Sequence, residues 1–196
     1  LPADKKDHQI LLTEPARNPV KNREKMGQIM FEKYNFGGVM FEYQALLTLM
    51  AEGNTTGAVL DCGDGVSHVI PVFEGLIQSH NIGRLNVAGR HVTEYLIKLL
   101  MYRGYAFNSS ADYETVREIK EDMCYVSINL EKERLIGRDT TVIDKEYKLP
   151  DGQTILVGRE RFEAPEIIMN PALIESEALG LPEMVYKSIT ECDLNI

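Results

Sequence analysis

The spacing of apolar residues along the chain predicts alternating strands and helices. Short apolar runs predict strands over residues 10–12, 39–41 and 85–88, the first of them buried. Asn18 and Pro19 are typical of a helix start, with Asn18 as the cap and Pro19 in the first turn. Apolar residues three or four positions apart predict helices over residues 20–34, 45–52, 93–103, 111–125, 160–166 (with a stop or kink at Pro165) and 182–191.

Two hairpins are predicted where glycine-containing turns separate runs of β-branched residues. The first covers residues 56–75 and turns at Gly63-Asp64-Gly65, where we expect the glycines to adopt positive φ angles. The second covers residues 147–157 and turns at Asp151-Gly152. Strands alternate with helices throughout, so the sequence predicts an α/β fold with a mixed sheet and flanking helices.

Composition narrows the class of protein. The chain has 196 residues, of which 44% are hydrophobic and 26% charged, as in a folded protein of one domain or two small ones. Its 21 basic and 30 acidic residues give a net charge of −9, which argues against binding nucleic acid or an anionic membrane. No apolar run suits membrane insertion. Cys62, Cys124 and Cys192 are too far apart for a zinc motif, and their odd number favours a reducing cytosol.

The first hairpin turn carries residues suited to phosphate. Gly63 and Gly65 let backbone N–H groups come close to an anion, whereas Asp61 and Asp64 would repel bare phosphate. A Mg²⁺ ion between the carboxylates and the phosphate, still carrying waters, removes that conflict. The turn therefore indicates a nucleoside triphosphate bound with Mg²⁺. From these residues alone an ordinary hairpin turn is the favoured alternative, because a glycine hairpin is less specific than a P-loop and the chain contains no P-loop motif.

Three further candidates have no functional meaning when taken singly. His68, on the strand after the turn, matches an ordinary buried histidine. Gln44 matches an ordinary helix residue, and Lys120-Glu121 a solvated helix face.

Short motifs in a fixed order over nearly the whole chain resemble the actin family. They are Leu11-Leu12-Thr13-Glu14-Pro15, Asn22-Arg23-Glu24-Lys25-Met26, Gln44-Ala45, Thr56-Gly57-Ala58-Val59-Leu60-Asp61-Cys62-Gly63-Asp64-Gly65-Val66, Ala88-Gly89-Arg90, Glu118-Ile119-Lys120-Glu121, Leu149-Pro150-Asp151-Gly152 and Arg161-Phe162. The resemblance implies an actin-like α/β ATPase fold, the nucleotide-cleft fold shared with sugar kinases and chaperone ATPases, here incomplete. It also implies ATP and Mg²⁺ as cofactors and at most slow hydrolysis of ATP in the full-length protein.

The resemblance assigns roles to individual residues. Asp61 and Asp64 would face Mg²⁺, through water, and Gln44, Asp61 and His68 would serve hydrolysis. The nucleotide would be bound by Asp61, Gly63, Asp64, Gly65, Val66, Gly89, Arg90, Arg117, Lys120 and Glu121.

Several positions depart from the family pattern. Cys62 stands where serine is usual, and Asn86 and His91 stand where acidic residues are common. Glu42 and Tyr43 replace small or aliphatic residues before Gln44. The sequence therefore supports nucleotide binding more strongly than hydrolysis.

The resemblance also implies a domain plan and partners. Residues 1–55 would be part of the small outer domain and the hinge helix, residues 56–196 most of the inner domain, and residues 89–162 its inserted upper lobe. The chain would then be the middle half of a longer protein. Details such as Thr140-Thr141-Val142 favour a family member that nucleates filament branches. Its partners would be the other subunits of a branching complex, actin filaments and nucleation-promoting factors, in the cytoplasm at the cortical cytoskeleton.

Other functions stay open at this point. Within the family, a conventional actin or a filament subunit of the centractin type is the alternative. A small-molecule kinase of the same superfold is more remote, because no carboxylate outside the nucleotide motifs stands out as a general base.

Overall fold

The structure, a computed structural model, describes residues 5–192 and divides them into two compact units. The first unit comprises residues 5–61, 68–83 and 185–192, and the second comprises residues 62–67 and 84–184. The chain therefore passes from the first unit to the second and back within the first hairpin. The family domain plan proposed from the sequence remains a prediction.

The order of elements confirms the α/β class. The strands of the described chain are β1 (Gln9–Glu14), β2 (Gly38–Tyr43), β3 (Gly57–Cys62), β4 (Ser67–Phe73), β5 (Leu76–Ile77), β6 (Gly83–Leu85), β7 (Lys145–Lys148) and β8 (Thr154–Val157). The α-helices are α1 (Val20–Gln28), α2 (Gln44–Ala51), α3 (Gly89–Tyr102), α4 (Ser110–Met123), α5 (Leu130–Asp139), α6 (Glu160–Glu163), α7 (Glu166–Met169) and α8 (Leu181–Thr190). No helix among residues 5–192 is long and apolar enough to cross a membrane.

The strands form three separate sheets. β1 and β2 pair in parallel, from Gln9 opposite Gly38 to Glu14 opposite Tyr43. β3, β4 and β5 lie side by side in a four-stranded sheet, in which β6 also pairs with β4. β7 and β8 form an antiparallel hairpin. The two predicted hairpins are therefore present.

Strand β1 is half-buried rather than fully buried, which corrects the expectation for residues 10–12. Successive side chains of a strand point to opposite faces, and Leu11 is 51% exposed. The next helix also begins differently from the prediction. Pro19 occupies the cap position of α1, whereas the Asn18 side chain donates to Glu14 Oε2 at 2.9 Å instead of capping the helix. Residues 29–33 continue α1 as one π-helical turn.

The remaining differences concern where elements begin and end. The strand predicted over residues 85–88 ends at Leu85, because Gly89 already begins α3. Helix α5 was not predicted from the sequence. Its ten residues include three large apolar side chains, Leu130, Leu135 and Ile136, and none of its residues is buried. Gly63 and Gly65 do not have positive φ angles, which corrects the expectation for the first turn.

Each unit has its own apolar core. In the first unit Ala45 and Leu46 of α2 pack with Ile70 and Val72 of β4. In the second unit α3 packs against α4, and both contribute fully buried residues: Leu96, Leu100, Val116 and Ile119. Burying each such side chain stabilises the folded unit by roughly 1.5–3 kcal/mol. The packing of α3 on α4 fixes the elements that carry the candidate site.

Candidate functional site

The turn between β3 and β4 is held by the first residues of α3. The backbone N–H of Gly89 donates to the Gly63 carbonyl at 3.0 Å, and that of Arg90 donates to the Asp64 carbonyl at 2.8 Å. These two N–H groups belong to the first helical turn, where no carbonyl of the helix itself is available. The carbonyls of the turn thus accept from N–H groups that the helix leaves unpaired, and these two hydrogen bonds hold the turn in place.

An ion pair reinforces this contact. The Arg90 guanidinium donates to Asp64 Oδ2 through Nε at 3.1 Å and Nη2 at 2.7 Å. The hydrogen bond with Asp64 raises the pKa of Arg90. Both side chains are more than half exposed, so water screens the pair and its main effect is to orient Asp64.

Lys120 of α4 joins the same cluster from a second helix. Its ammonium group donates to the Gly89 carbonyl at 3.2 Å, and the Thr93 hydroxyl donates to the same carbonyl at 3.1 Å. A Cβ atom at residue 89 would lie 3.3 Å from the Gly63 carbonyl oxygen and 3.6 Å from Lys120 Nζ. Glycine at residue 89 therefore allows the turn, α3 and α4 to approach each other closely.

Helix α4 has a well-capped start that fixes where its later residues lie. The Ser109 hydroxyl accepts from the Asp112 N–H at 3.1 Å, and the Asp112 carboxylate accepts from the Ser109 N–H at 2.8 Å. The backbone hydrogen bond from Ser109 lowers the pKa of Asp112. Such a reciprocal capping box satisfies two N–H groups that the helix leaves unpaired.

The other predicted residues of α4 pair along their own helix. Arg117 donates to Glu114 at 2.8 Å and to Glu121 at 2.8 Å, and the bond with Glu114 is the largest cause of the raised pKa of Arg117. Lys120 is thus the residue of this group that contacts α3, whereas Arg117 and Glu121 form the charged surface beside it.

The tip of the turn presents two backbone donors. Across residues 5–192, no protein group accepts a hydrogen bond from the backbone N–H of Asp64 or Gly65. The Gly63 N–H is occupied, since it donates to the Val66 carbonyl at 3.1 Å. Successive unpaired N–H groups in a turn form a concave site for an anion. A Cβ at Gly65 would meet no atom within 4 Å, so the approach to this site is open.

The three residues predicted to serve hydrolysis lie in the first unit, whereas the turn and its contacts lie in the second. Gln44 is the first residue of α2, is exposed, and its Nε2 lies 3.4 Å from Thr13 Oγ1. Asp61 is half-buried near the end of β3. His68, on β4, is 8% exposed. Their joint role in hydrolysis stays a prediction.

Sequence reasoning missed two residues that shape the cluster. Thr93 is completely buried and donates to Gly89 as described. Ser67 is also completely buried, and its hydroxyl lies 2.7 Å from the Val87 carbonyl and 3.1 Å from Cys62 Sγ. The Ser67 hydroxyl reaches a carbonyl 20 residues away, whereas Thr93 bonds to the carbonyl four residues earlier on α3, and neither residue stands in a distinctive sequence pattern.

The described part of the chain holds no cluster of three or more histidine, cysteine, aspartate or glutamate side chains suited to a metal ion. A metal at the turn would therefore need ligands from water and from a bound molecule. Mg²⁺ fits that requirement, because it usually keeps several waters and binds through one or two carboxylates plus phosphate oxygens.

Comparisons with known proteins show which family the chain is similar to. The family model described as Actin matches residues 1–196. Proteins named Actin-related protein 2 are similar to the whole chain or nearly so. The protein from Acanthamoeba castellanii is 54% identical over 195 residues, that from Arabidopsis thaliana 54% over 189, and that from Saccharomyces cerevisiae 53% over 188. These alignments cover 100%, 96% and 96% of this chain but only 50%, 49% and 48% of the relatives.

The chain thus spans about half the length of the curated relatives it matches, and the match extends over both of its units. The family model and the relatives point to the same group of proteins as the motifs around the turn. The chain belongs to the actin family.

Proposed function

We propose that the chain is part of an ATP-binding, actin-related cytoskeletal subunit that nucleates and branches filaments within the actin-related protein 2/3 complex. The observation that carries ATP binding is the pair of unpaired N–H groups at Asp64 and Gly65, on a turn fixed by two helices. The assignment to the branching complex rests on 52–54% identity to proteins named Actin-related protein 2.

The turn would bind the phosphates of ATP. Asp64 and Gly65 would donate backbone N–H groups, and Gly63 and Val66 would shape the turn around them. Gly89 and Arg90 would support the turn from α3. Arg117, Lys120 and Glu121 would form the adenosine side of the site, with Lys120 placed by its bond to Gly89.

Mg²⁺ would be held by water bound to Asp61 and Asp64 together with phosphate oxygens. Arg90 occupies Oδ2 of Asp64, and Oδ1 accepts from no group in the described chain, which leaves it for a bound water. The ion, when present, neutralises part of the phosphate charge that these carboxylates would otherwise repel.

Hydrolysis of ATP would be slow, with Gln44, Asp61 and His68 ordering the attacking water. In phosphoryl transfer the protein mainly positions the reactants and stabilises charge, so an exposed Gln44, whose side chain makes a long bond to Thr13, favours a low rate. Changing Gln44 to Ala in the full-length protein should lower hydrolysis while leaving ATP affinity nearly unchanged. Equal losses in both would point to a folding role for Gln44.

The domain plan remains part of the proposal. Residues 1–55 would belong to the small outer domain with the hinge helix, and residues 56–196 to the inner domain, with residues 89–162 as its upper lobe. Partners would be the other complex subunits, actin filaments and nucleation-promoting factors, in the cytoplasm at the cell cortex. Nucleic acid and membrane insertion have no place in this function.

The decisive experiment measures Mg-ATP affinity of the full-length protein by calorimetry. Asp61→Ala and Asp64→Ala should each weaken Mg-dependent binding, because each removes a carboxylate from the Mg²⁺ side of the site. Asp139→Ala is the matched control, since it removes an exposed carboxylate of the second unit that pairs with Arg138, outside the proposed site. Unchanged affinity in both aspartate variants would refute the phosphate-turn assignment.

A further inference from the structure

His91 caps the start of α3 in an unusual way. Its Nδ1 atom lies 3.2 Å from the backbone nitrogen of Ala88 and accepts the hydrogen bond from that N–H. Ala88 occupies the cap position itself but carries only a methyl group, so it offers no side-chain acceptor. A ring nitrogen that accepts a hydrogen bond carries no proton. The contact therefore requires neutral imidazole with its proton on Nε2.

The backbone that His91 fixes continues directly into the contacts of the phosphate turn. Ala88 is completely buried and precedes Gly89 and Arg90, whose N–H groups bind the carbonyls of Gly63 and Asp64. The Asp64 and Gly65 donors lie on that same turn. A change in the first turn of α3 therefore alters the placement of these donors.

We propose that His91 is a positioning residue for the phosphate turn, and that nucleotide binding by this protein weakens when His91 gains a proton. This inference rests on the proposed function, since it concerns the affinity of the same site. A ring that carries a proton on both nitrogens cannot accept from the Ala88 N–H. A cation in the first helical turn also opposes the helix dipole.

The surroundings of His91 give the protonated ring an alternative partner. A cavity of about 370 Å³ is lined by His91 with Glu94, Tyr95 and Lys98 of α3, and by Glu175 after the short helix over residues 171–174. Two carboxylates in this cavity favour an imidazolium turned toward it over one turned toward Ala88. Lys120 and Asp64 contact the neighbouring residues Gly89 and Arg90.

The test compares three forms of the full-length protein between pH 5.5 and pH 8. His91→Gln keeps an acceptor that reaches back to the cap N–H but does not titrate. His91→Leu removes the acceptor at every pH. The probe is Mg-ATP at saturating Mg²⁺. Affinities are expressed relative to His91→Gln at the same pH, so that protonation of the nucleotide cancels.

At pH 8 the wild-type protein and His91→Gln should bind Mg-ATP with equal affinity. At pH 5.5 the wild type should bind Mg-ATP about three- to tenfold more weakly than His91→Gln. This is the factor expected when one helix cap is lost. His91→Leu should be weaker by that factor at both pH values. The proposal would be overturned if the ratio of the wild-type affinity for Mg-ATP to that of His91→Gln did not change with pH.

A second measurement needs no nucleotide. Hydrogen exchange of the Gly89 and Arg90 amides should be faster in the wild type than in His91→Gln at pH 5.5, and equal at pH 8. Equal exchange of the two proteins at pH 5.5 would reject the positioning role even if Mg-ATP binds. If Mg-ATP does not bind but the exchange difference is observed, the proposed function is rejected, whereas the capping role of His91 stands.

Discussion

The two hairpins of this chain share an Asp-Gly turn but use it in different ways. In the second hairpin Gly152 has a φ of +90°, its N–H donates to the Leu149 carbonyl at 2.9 Å, and Asp151 accepts from the Gln153 N–H at 2.9 Å. That turn is closed by hydrogen bonds among its own residues. In the first hairpin neither glycine has a positive φ, and the turn is completed by N–H groups from α3.

The difference shows two separate reasons for glycine in a turn. Gly152 is needed because only glycine adopts that backbone angle without strain. Gly65 has an ordinary backbone, so its lack of a side chain serves access to the N–H groups at the tip. The second turn is closed from within, whereas the first presents two consecutive unpaired donors, which suits it to an anion.

The largest expected effect distinguishes Asp64 in the first turn from Asp151 in the second. Asp64→Ala should weaken Mg-ATP binding to the full-length protein by about 10- to 100-fold, since a hydrogen bond to a charged group contributes roughly 1.5–3 kcal/mol. Asp151→Ala, the matched change in the second hairpin, should leave affinity unchanged. Titration calorimetry of both variants gives the comparison, and equal losses would remove the distinction between the turns.

Gly65→Ala tests access to the donors. A methyl group at residue 65 meets no protein atom within 4 Å, so the free energy of unfolding should stay within about 0.5 kcal/mol, as for a neutral surface change. The affinity for Mg-ATP should fall by about tenfold, equivalent to 1.4 kcal/mol, because the methyl group occupies the anion's path. Unaltered affinity would mean that the phosphate does not approach at residue 65.

Gly152→Ala should have the opposite pattern. A non-glycine residue in a left-handed conformation costs about 1–2 kcal/mol, and denaturant unfolding should show a loss of that size. Mg-ATP affinity, corrected for the unfolded fraction, should not change. A drop in affinity with unchanged stability would show that the second hairpin also takes part in the nucleotide site.

The smallest expected effect is on the rate at which a cysteine beside the first turn is chemically labelled. Burial raises the pKa of the Cys124 thiol to about 12, so this thiol stays protonated at pH 8 and should react with iodoacetamide only as the pH approaches that value. Cys62 is exposed beside the first turn and should react at pH 8. Mg-ATP should slow its labelling severalfold.

Two variants test whether the effect of Mg-ATP on labelling is specific to the first turn. Cys62→Ser should abolish the fast reaction, and a cysteine introduced by Asp151→Cys should label equally fast with and without Mg-ATP. Protection of both positions would indicate a general closing of the protein rather than coverage of the first turn.

Much of the fold follows from local patterns, whereas the site depends on contacts that are distant in sequence. The periodicity of α3 and α4 and the turn residues of both hairpins are strong signals, and the structure confirms them. Helix α5 was missed because its sequence is mostly charged, with Leu130, Leu135 and Ile136 as its large apolar residues. Pro19 was assigned one position too far into α1, since Asn18 binds Glu14 rather than the helix.

The candidate site was predictable as a set of residues but not as an arrangement. The motif around Asp64 indicates phosphate, yet nothing in the sequence shows that Lys120 would donate to the Gly89 carbonyl, 31 residues away. Gly63 and Gly65 allow positive φ angles, but neither adopts one in the first turn. Ser67 acts through a contact with Val87, 20 residues away, and Thr93 through a bond to the carbonyl four residues earlier on α3, and neither residue stands in a distinctive sequence pattern.

Gly89 also has a consequence for how this protein can vary. It has no side chain, yet backbone atoms of the turn and the end of the Lys120 side chain lie within 4 Å of the place where its Cβ would be. A comprehensive substitution library should therefore find residue 89 among the less tolerant positions. A shorter side chain at residue 120 relieves one of these contacts, whereas the contacts with the turn backbone remain. Constraint at this position is set by the close approach of the turn backbone to the start of α3 rather than by the identity of any functional group.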